Sequence, residues 1–449
     1  MDRIDSPAPL RPNGHMAHDM QRGGWIASAL ALLLASGCGP EVSSEVSGAT
    51  TGSGGAAGAG GQGGSGGGQG GSGGGVIAEG PCAIGTPPTV SELCGPPEGP
   101  CVVLADEIVP GEPQEHGDAP PLGLDADCNA RMMLPDVLDS PGKYARRSAG
   151  GQWTMNPTLF YIERGGIGMR LDGEPLVLID DGYTNTSIRD RREDGIWWWI
   201  QSLGEWSKTW TAAFAQDDAG TLHVAYESGE YEAVTNLMLG AYSLDGSFTA
   251  TPIKKGFSHR VALSLSPAAR PHVAYHIYHE KPGHYQLYWH SPPATPEAIL
   301  PEGVHYTSDL QMLAVTEPDA ENPEGKPHVL TDRRFEDGSR DLVYATRKGP
   351  GAWEVVPVAK PLNEYDELVP LGIVTEPGGG VRLFHMQDST IHVSWVEPGP
   401  KITTAAVVGP AHATGSSVRR DGLGRIHLAF YEGDEYNPQS HVRYLLLGQ

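Results

Sequence analysis

The sequence predicts an all-β protein built as a ring of small four-stranded sheets, and three observations carry that prediction. A short phrase repeats through the C-terminal two-thirds of the chain. Each copy lies between a turn signal and an aromatic, β-branched run. The copies are spaced too closely to be separate domains. The phrase stands as Gly220-Thr-Leu-His-Val-Ala-Tyr226, Arg270-Pro-His-Val-Ala-Tyr275, Gly325-Lys-Pro-His-Val-Leu-Thr331 and Gly424-Arg-Ile-His-Leu-Ala-Phe430. Weaker copies are Gly173-Glu-Pro-Leu-Val-Leu-Ile179 and Gly380-Val-Arg-Leu-Phe-His385. Leu176, His223, His272, His328, Arg382 and His427 are then equivalent and recur every 45 to 56 residues. A β-rich repeat of that period arranges its units radially, as a β-propeller.

Reading from the N-terminus, residues 1–37 form an export signal. Met20-Gln-Arg22 supplies a short positive start, Trp25 to Ala35 an apolar run, and Ala35-Ser-Gly-Cys38 closes it. A run that short is a signal core, too brief to span a bilayer. Residues 1–19 do not fit the pattern, which places the translation start at Met16 or Met20. The small residues ahead of Cys38 resemble the lipobox of bacterial lipoproteins. That resemblance implies cleavage before Cys38, lipidation of its thiol and attachment in the cell envelope, at the outer membrane.

Residues 38–75 follow as anchor and tether, nearly all Gly, Ser, Ala and Gln from Ser47 on. Such a composition builds no core and spans roughly 30 Å as a random coil. Residues 76–142 are Pro-rich and hold Cys82, Cys94, Cys101 and Cys128. An even set of cysteines in an exported chain reads as two disulfides with three open connectivities. This segment is expected to cap the main domain.

The propeller is placed at 143–449. Strand A of each repeat is short and rich in small residues, as in Val261-Ala-Leu-Ser-Leu265 and Ser416-Ser-Val418, which suits the crowded axis. A Gly/Asp turn such as Asp217-Asp-Ala-Gly220 leads to strand B, the repeated phrase. Strand C is aromatic, as in Leu287-Tyr-Trp289 and Val442-Arg-Tyr444, and strand D follows a second turn, as in Gly351-Ala-Trp353. The chain ends after a strand C, while Trp153-Thr-Met looks like a spare strand D. Pairing the two closes the ring and removes its open edge. Six blades are therefore expected, with a seventh built from the Cys-rich segment as the alternative.

The formal net charge of −24 and pI near 5.0 leave no basic stripe for phosphate backbones, so nucleic acid is excluded as a partner. The repeated histidines occupy equivalent positions around the axis and cannot converge on one site. They read as partly buried inter-blade hydrogen-bonding groups. The loops between strands B and C are better binding candidates. They offer Tyr226, Glu227, His276, Tyr278, His279, Arg333, Arg334, Glu336, Tyr431, Glu432 and Tyr436, residue types that stack on sugar rings or bond hydroxyl and acidic groups. No cofactor is expected. His276, His279 and His284 give a weak zinc pattern, and Asp180-Asp181-Gly182 and Glu336-Asp337-Gly338 read as turns before calcium loops. In the Trp197-Trp-Trp199 run at least one ring should be buried, leaving its neighbours as a stacking platform or interface patch.

The Pro-His-Val-Ala-Tyr core and its following Leu-x-Tyr/Trp strand resemble the propeller repeats of sialidase-like (BNR-type) proteins over residues 143–449. The resemblance implies the fold and a link to glycans. The family's Asp box and Arg-Ile-Pro motif are missing, so no catalytic residue carries over. The leading expectation is an envelope lipoprotein, monomeric and touching the membrane only through its lipid. Its propeller rim would bind a glycan or a protein partner. A structural scaffold and a sialidase-like or lyase-type glycan-cleaving enzyme are the alternatives.

Overall fold

The repeated phrase forms strand B of each blade because its Val, Leu, Tyr and Phe side chains alternate between two apolar neighbours, the sheets on either side. The structure is a computed structural model. It describes residues 78–84, 86, 101–111, 120–134, 141–158, 160, 164–180, 185–192, 195–205, 213–228, 236–255, 261–278, 285–300, 311–335, 339–361, 368–376, 379–396, 401–433 and 441–448. The signal sequence, Cys38, the tether and Cys94 lie outside the described residues.

Seven antiparallel four-stranded sheets make up the ring. Strand β1 (Val102–Ile108) comes first in the chain but belongs to the last blade. Blade I is β2 (Leu122–Leu124), β3 (Ala130–Leu134), β4 (Lys143–Arg147) and β5 (Trp153–Pro157). Blade II is β6 (Arg164–Met169), β7 (Pro175–Asp180), β8 (Asn185–Arg191) and β9 (Trp197–Glu205). Blade III is β10 (Ala213–Gln216), β11 (Leu222–Ser228), β12 (Asn236–Tyr242) and β13 (Phe248–Lys255). Blade IV is β14 (Val261–Leu265), β15 (Pro271–Tyr278), β16 (Tyr285–His290) and β17 (Glu297–Ala298). Blade V is β18 (Gln311–Thr316), β19 (Lys326–Arg334), β20 (Arg340–Gly349) and β21 (Ala352–Ala359). Blade VI is β22 (Leu368–Thr375), β23 (Val381–Gln387), β24 (Thr390–Val396) and β25 (Ile402–Val408). Blade VII is β26 (Ala413–Arg420), β27 (Ile426–Glu432) and β28 (His441–Gly448), closed on its outside by β1.

The ring therefore has seven blades, the alternative reading, and six is corrected. Strand sharing between the two ends of the chain does occur, but Trp153–Pro157 is the outer strand of blade I, and the shared strand is β1. The Cys-rich segment, read as a cap, supplies that strand and the first half of blade I. Blade I hides from the repeat because Arg131 stands where four other blades carry His, and Cys128 stands where most carry Gly.

One turn recurs between strands A and B. Its fourth residue has left-handed backbone geometry in all seven blades: Gly173, Gly220, Gly325, Gly379 and Gly424, with Cys128 and Ala269 in the other two. Only glycine adopts that geometry without steric cost, so Cys128 and Ala269 are tolerated exceptions. In three blades the turn opens with Asp125, Asp217 or Asp421, whose Oδ1 accepts two backbone N–H groups two and four residues on. These are Asx turns that fix the hairpin before any distant packing forms.

Each blade interface has its own apolar cluster. Leu176, Leu178 and Ile188 of blade II meet Val224 and Tyr226 of blade III, while Ala225 on the opposite face meets Val273 and Tyr275 of blade IV. Between blades VII and I, Tyr444 and Leu446 pack with Met132 and Ala145. A polar latch on the blade flanks repeats twice. Glu107 of β1 accepts Arg147 Nε and Nη2 (3.0 and 2.6 Å) and Trp153 Nε1 (2.8 Å), joining blade VII to blade I. Glu297 of β17 accepts Arg347 Nε and Nη2 (2.9 and 2.8 Å), joining blade IV to blade V. The two guanidinium groups lie over Tyr444 (5.3 Å) and Trp289 (4.9 Å) respectively.

Candidate functional site

The histidines come first because they dominate the sequence. His427 Nε2 lies 3.1 Å from Asp421 Oδ2 and Nδ1 lies 2.7 Å from the Tyr444 hydroxyl. The carboxylate only accepts, so Nε2 carries the proton and Nδ1 accepts from Tyr444. His223 repeats the Asp contact with Asp217 at 3.1 Å. His328 sits between Thr316 Oγ1 (2.9 Å) and the Tyr344 hydroxyl (2.5 Å). His272 Nε2 donates to the Glu324 carbonyl (3.1 Å), and its Nδ1 accepts Trp289 Nε1–H (3.3 Å). Only His272 reaches a neighbouring blade. The other three bond within their own: His223 and His427 reach the turn aspartate six positions earlier, and His328 reaches Thr316 on strand A and Tyr344 on strand C. Burial pushes His272 down to about 4 and His328 down to about 3, so both are neutral at pH 7. These rings tie strands together.

The rim candidates are dispersed. Tyr226, His276 and Tyr431 lie within strands β11, β15 and β27 and are buried. Glu227 is half-buried on blade III. Arg333 on blade V makes a bidentate pair with Asp341 (2.6 and 2.8 Å) and lies 4.9 Å over Phe335. Glu432 on blade VII accepts Arg443 Nη1 (2.6 Å). For Tyr278 and Arg334 only the backbone is described, and His279, His284, Glu336 and Tyr436 lie outside the described residues. Among the described residues no three His, Cys, Asp or Glu side chains cluster as a metal site.

Two features stand out instead. The first is an axial cavity of about 540 Å³ to which all seven inner strands contribute. Its end at the A–B turns is covered by Pro81–Ile84 and Thr86, held there by the Cys82–Cys128 disulfide and by Gly422 N–H on Cys82 Sγ (3.1 Å). Cys101 is also disulfide-bonded, to a residue outside those described. Close approach explains Gly422, since a Cβ there would meet the Pro81 carbonyl oxygen at 1.7 Å. Within the cavity the Arg419 guanidinium lies 6.0 Å from the Phe214 ring on the opposite side of the ring of blades.

The second feature is a cationic, aromatic surface patch at the junction of blades I and II. Trp197 packs edge-on against Tyr144 and Phe160 (5.6 and 5.5 Å) and is half-buried, while Trp198 and Trp199 are 44% and 57% exposed. Neighbouring residues on a strand face opposite ways, so the exposed rings do not form one platform. Trp199 shares the blade I side with Trp197. There the Arg189 guanidinium lies 4.4 Å from Phe160 and 5.7 Å from Trp199, a cation between two rings. Trp198 faces blade III with Arg192 at 4.1 Å over it. Trp197 and Trp199 lie in the half of β9 next to the C–D turn of blade II, while Phe160 belongs to the connection from blade I to blade II, where its carbonyl accepts Gly142 N–H (3.0 Å). The Trp run was legible in the sequence. Phe160 and Arg189 were not, because only the fold brings them together.

No family model matches the chain, and no curated protein matches it. Solved structures do. The polysaccharide lyase Uly1 aligns with a TM-score of 0.50 and 10% identity over 76% of this chain and 91% of that one. A PL25 ulvan lyase bound to a GlcA–Rha saccharide aligns with a TM-score of 0.48 and 12% identity, covering 78% and 96%. A lectin of Aleuria aurantia in complex with a fucosylated saccharide aligns at 0.39 and 12%, covering 68% and 99%. At such identities the chain shares with the lyase Uly1 its β-propeller fold.

Proposed function

We propose that this protein is an exported, lipid-anchored binding propeller that recognises an acidic glycan on the patch between blades I and II. One observation carries the reading: the Phe160–Arg189–Trp199 ladder, an arginine held between two rings with the outer ring more than half exposed. An exposed indole stacks on the C–H face of a sugar, and a guanidinium prefers a carboxylate or sulfate. A cationic, aromatic patch in a chain of net charge −24 is where an anionic polymer meets least repulsion. The flexible tether read at residues 38–75 gives the propeller the reach to bind extended polymers, and the B–C rim is the second surface to probe.

The test is titration calorimetry with polygalacturonate against a neutral β-glucan. Trp199→Ala is expected to weaken polyuronide binding at least tenfold, about 1.4 kcal/mol, within the range of stacking contacts. Equal affinity of W199A and the parent chain, or no binding to any charged glycan, would remove the patch from consideration. Mass spectrometry for an acylated Cys38 tests the anchor separately.

A further inference from the structure

We infer that the axial cavity holds a small carboxylate-class anion at Arg419, with Arg420 beside it adding positive charge. The inference is independent of the glycan reading. Arg419 is surrounded by protein, yet its side chain is open to the cavity. Its one hydrogen bond among the described residues runs from Nη1 to the Val418 carbonyl (3.2 Å), and no described carboxylate lies within ion-pair distance. Arg420, at the same end of β26, has its Nε and Nη2 buried without a hydrogen-bond partner.

Three of the acidic groups nearby are already engaged, and Asp218, also on the cavity lining, is exposed. Asp421 is held by Arg425 Nε (2.6 Å) and His427 (3.1 Å), Asp217 by His223 (3.1 Å), and Glu376 by Arg382. Burial lowers the pKa of Arg419 and of Arg420, the direction expected where a cation has exchanged part of its water for protein. A guanidinium stays protonated at any accessible pH, so it cannot escape that cost by losing its proton. Buried guanidinium N–H groups without a partner, as on Arg420, are costly, and an anion in the cavity beside both arginines is the available compensation. The planar fork of Arg419 matches a carboxylate through two parallel hydrogen bonds. A volume of about 540 Å³ leaves room for the anion with its waters.

The test is a thermal-shift titration of the full chain with sodium acetate replacing sodium chloride at constant ionic strength, with sodium glucuronate as a second arm. A saturable rise in Tm is expected with acetate, and Arg419→Gln should abolish it while Arg420→Gln weakens it. No acetate-specific rise in the parent chain, or the same rise in R419Q, overturns the proposal. Should R419Q not fold, Arg419→Lys is read instead, with at least tenfold weaker acetate binding expected and unchanged affinity overturning it. Where acetate binds, glucuronate binding equally well makes a sugar carboxylate an acceptable occupant. Failure of glucuronate restricts the site to a free small carboxylate.

Discussion

The latch between blades VII and I and the latch between blades IV and V are nearly the same object in two different chain contexts. Glu107 grips Arg147 as Glu297 grips Arg347, each through both donors of the fork. Trp153 meets Tyr444 edge-on at 5.4 Å, and Trp289 meets Trp353 edge-on at 6.0 Å. The interior latch joins two blades that follow each other in sequence. The seam latch acts where the first and last parts of the chain meet, on a strand that pairs β28 across more than 300 residues of sequence. A contact that must close so long a loop comes late and starts from a larger entropy cost. The same chemistry therefore has more to do at the seam, and that is where the extra devices sit. Arg443 of β28 reaches Asp106 of β1 twice (2.7 and 2.7 Å), and the Cys82–Cys128 disulfide pins the preceding segment to blade I.

The comparison breaks most clearly on removal of β1. A chain beginning at Val109 is expected to lose most of the roughly 5–15 kcal/mol that a folded domain commands, and to self-associate through the exposed edge of β28. Urea unfolding and size-exclusion chromatography read both effects. An unchanged urea midpoint would mean that the seam needs no closing strand. Next in size is Cys82→Ser with Cys128→Ser, expected to cost about 2–5 kcal/mol. Because the truncated chain also lacks Cys82 and the disulfide-bonded Cys101, the share of β1 is read by subtracting the loss of a chain carrying Cys82→Ser, Cys128→Ser and Cys101→Ser.

Glu107→Gln and Glu297→Gln sharpen the comparison further. Each should cost about 1–3 kcal/mol, since a partly buried guanidinium loses its counter-charge. The seam variant alone should also speed unfolding measurably in stopped-flow urea jumps. Equal unfolding rates for the two would deny the seam any special status.

The smallest effect is a slope. His272 and His328 have folded pKa values of about 4 and about 3, below the ordinary 6.5. The unfolded chain therefore binds more protons than the folded one below pH 6.5, and stability falls as pH is lowered toward 4. Each ring contributes about 1.4 kcal/mol per pH unit in that window. His328→Asn should flatten the stability-against-pH curve by one such share between pH 6 and 4, whatever it does to the absolute value. An unaltered slope would mean that the buried ring is not neutral.

Strand B, the hairpin turns and the sharing of a blade between the chain ends were all readable in the residues, because each is a local pattern repeated in sequence. Blade I was legible only as an alternative, since Arg131 and Cys128 replace the His and Gly that mark the strongest copies of the phrase. Its turn keeps the same device, with Arg131 pairing Asp125 much as His427 pairs Asp421, and that equivalence is visible only in three dimensions. The two latches share an Arg followed six positions later by Trp, at Arg147 and Trp153 and at Arg347 and Trp353. Nothing in that spacing names the glutamate from the adjoining blade. The cavity arginines and the Phe160–Arg189–Trp199 ladder are harder still. They arise where separate blades face each other, and one-dimensional spacing is silent on that.

The placement of the disulfide has a mechanical consequence. Ala78 N–H donates to the Leu171 carbonyl (2.6 Å), Cys82 N–H donates to the Ala126 carbonyl (2.8 Å), and Cys82 is bonded covalently to Cys128. Tension applied to the chain ahead of Ala78 is thus received by blade I through a covalent bond before it can reach β1. The closing strand lies behind that bond, shielded from the load like a seam sewn on the slack side of a knot.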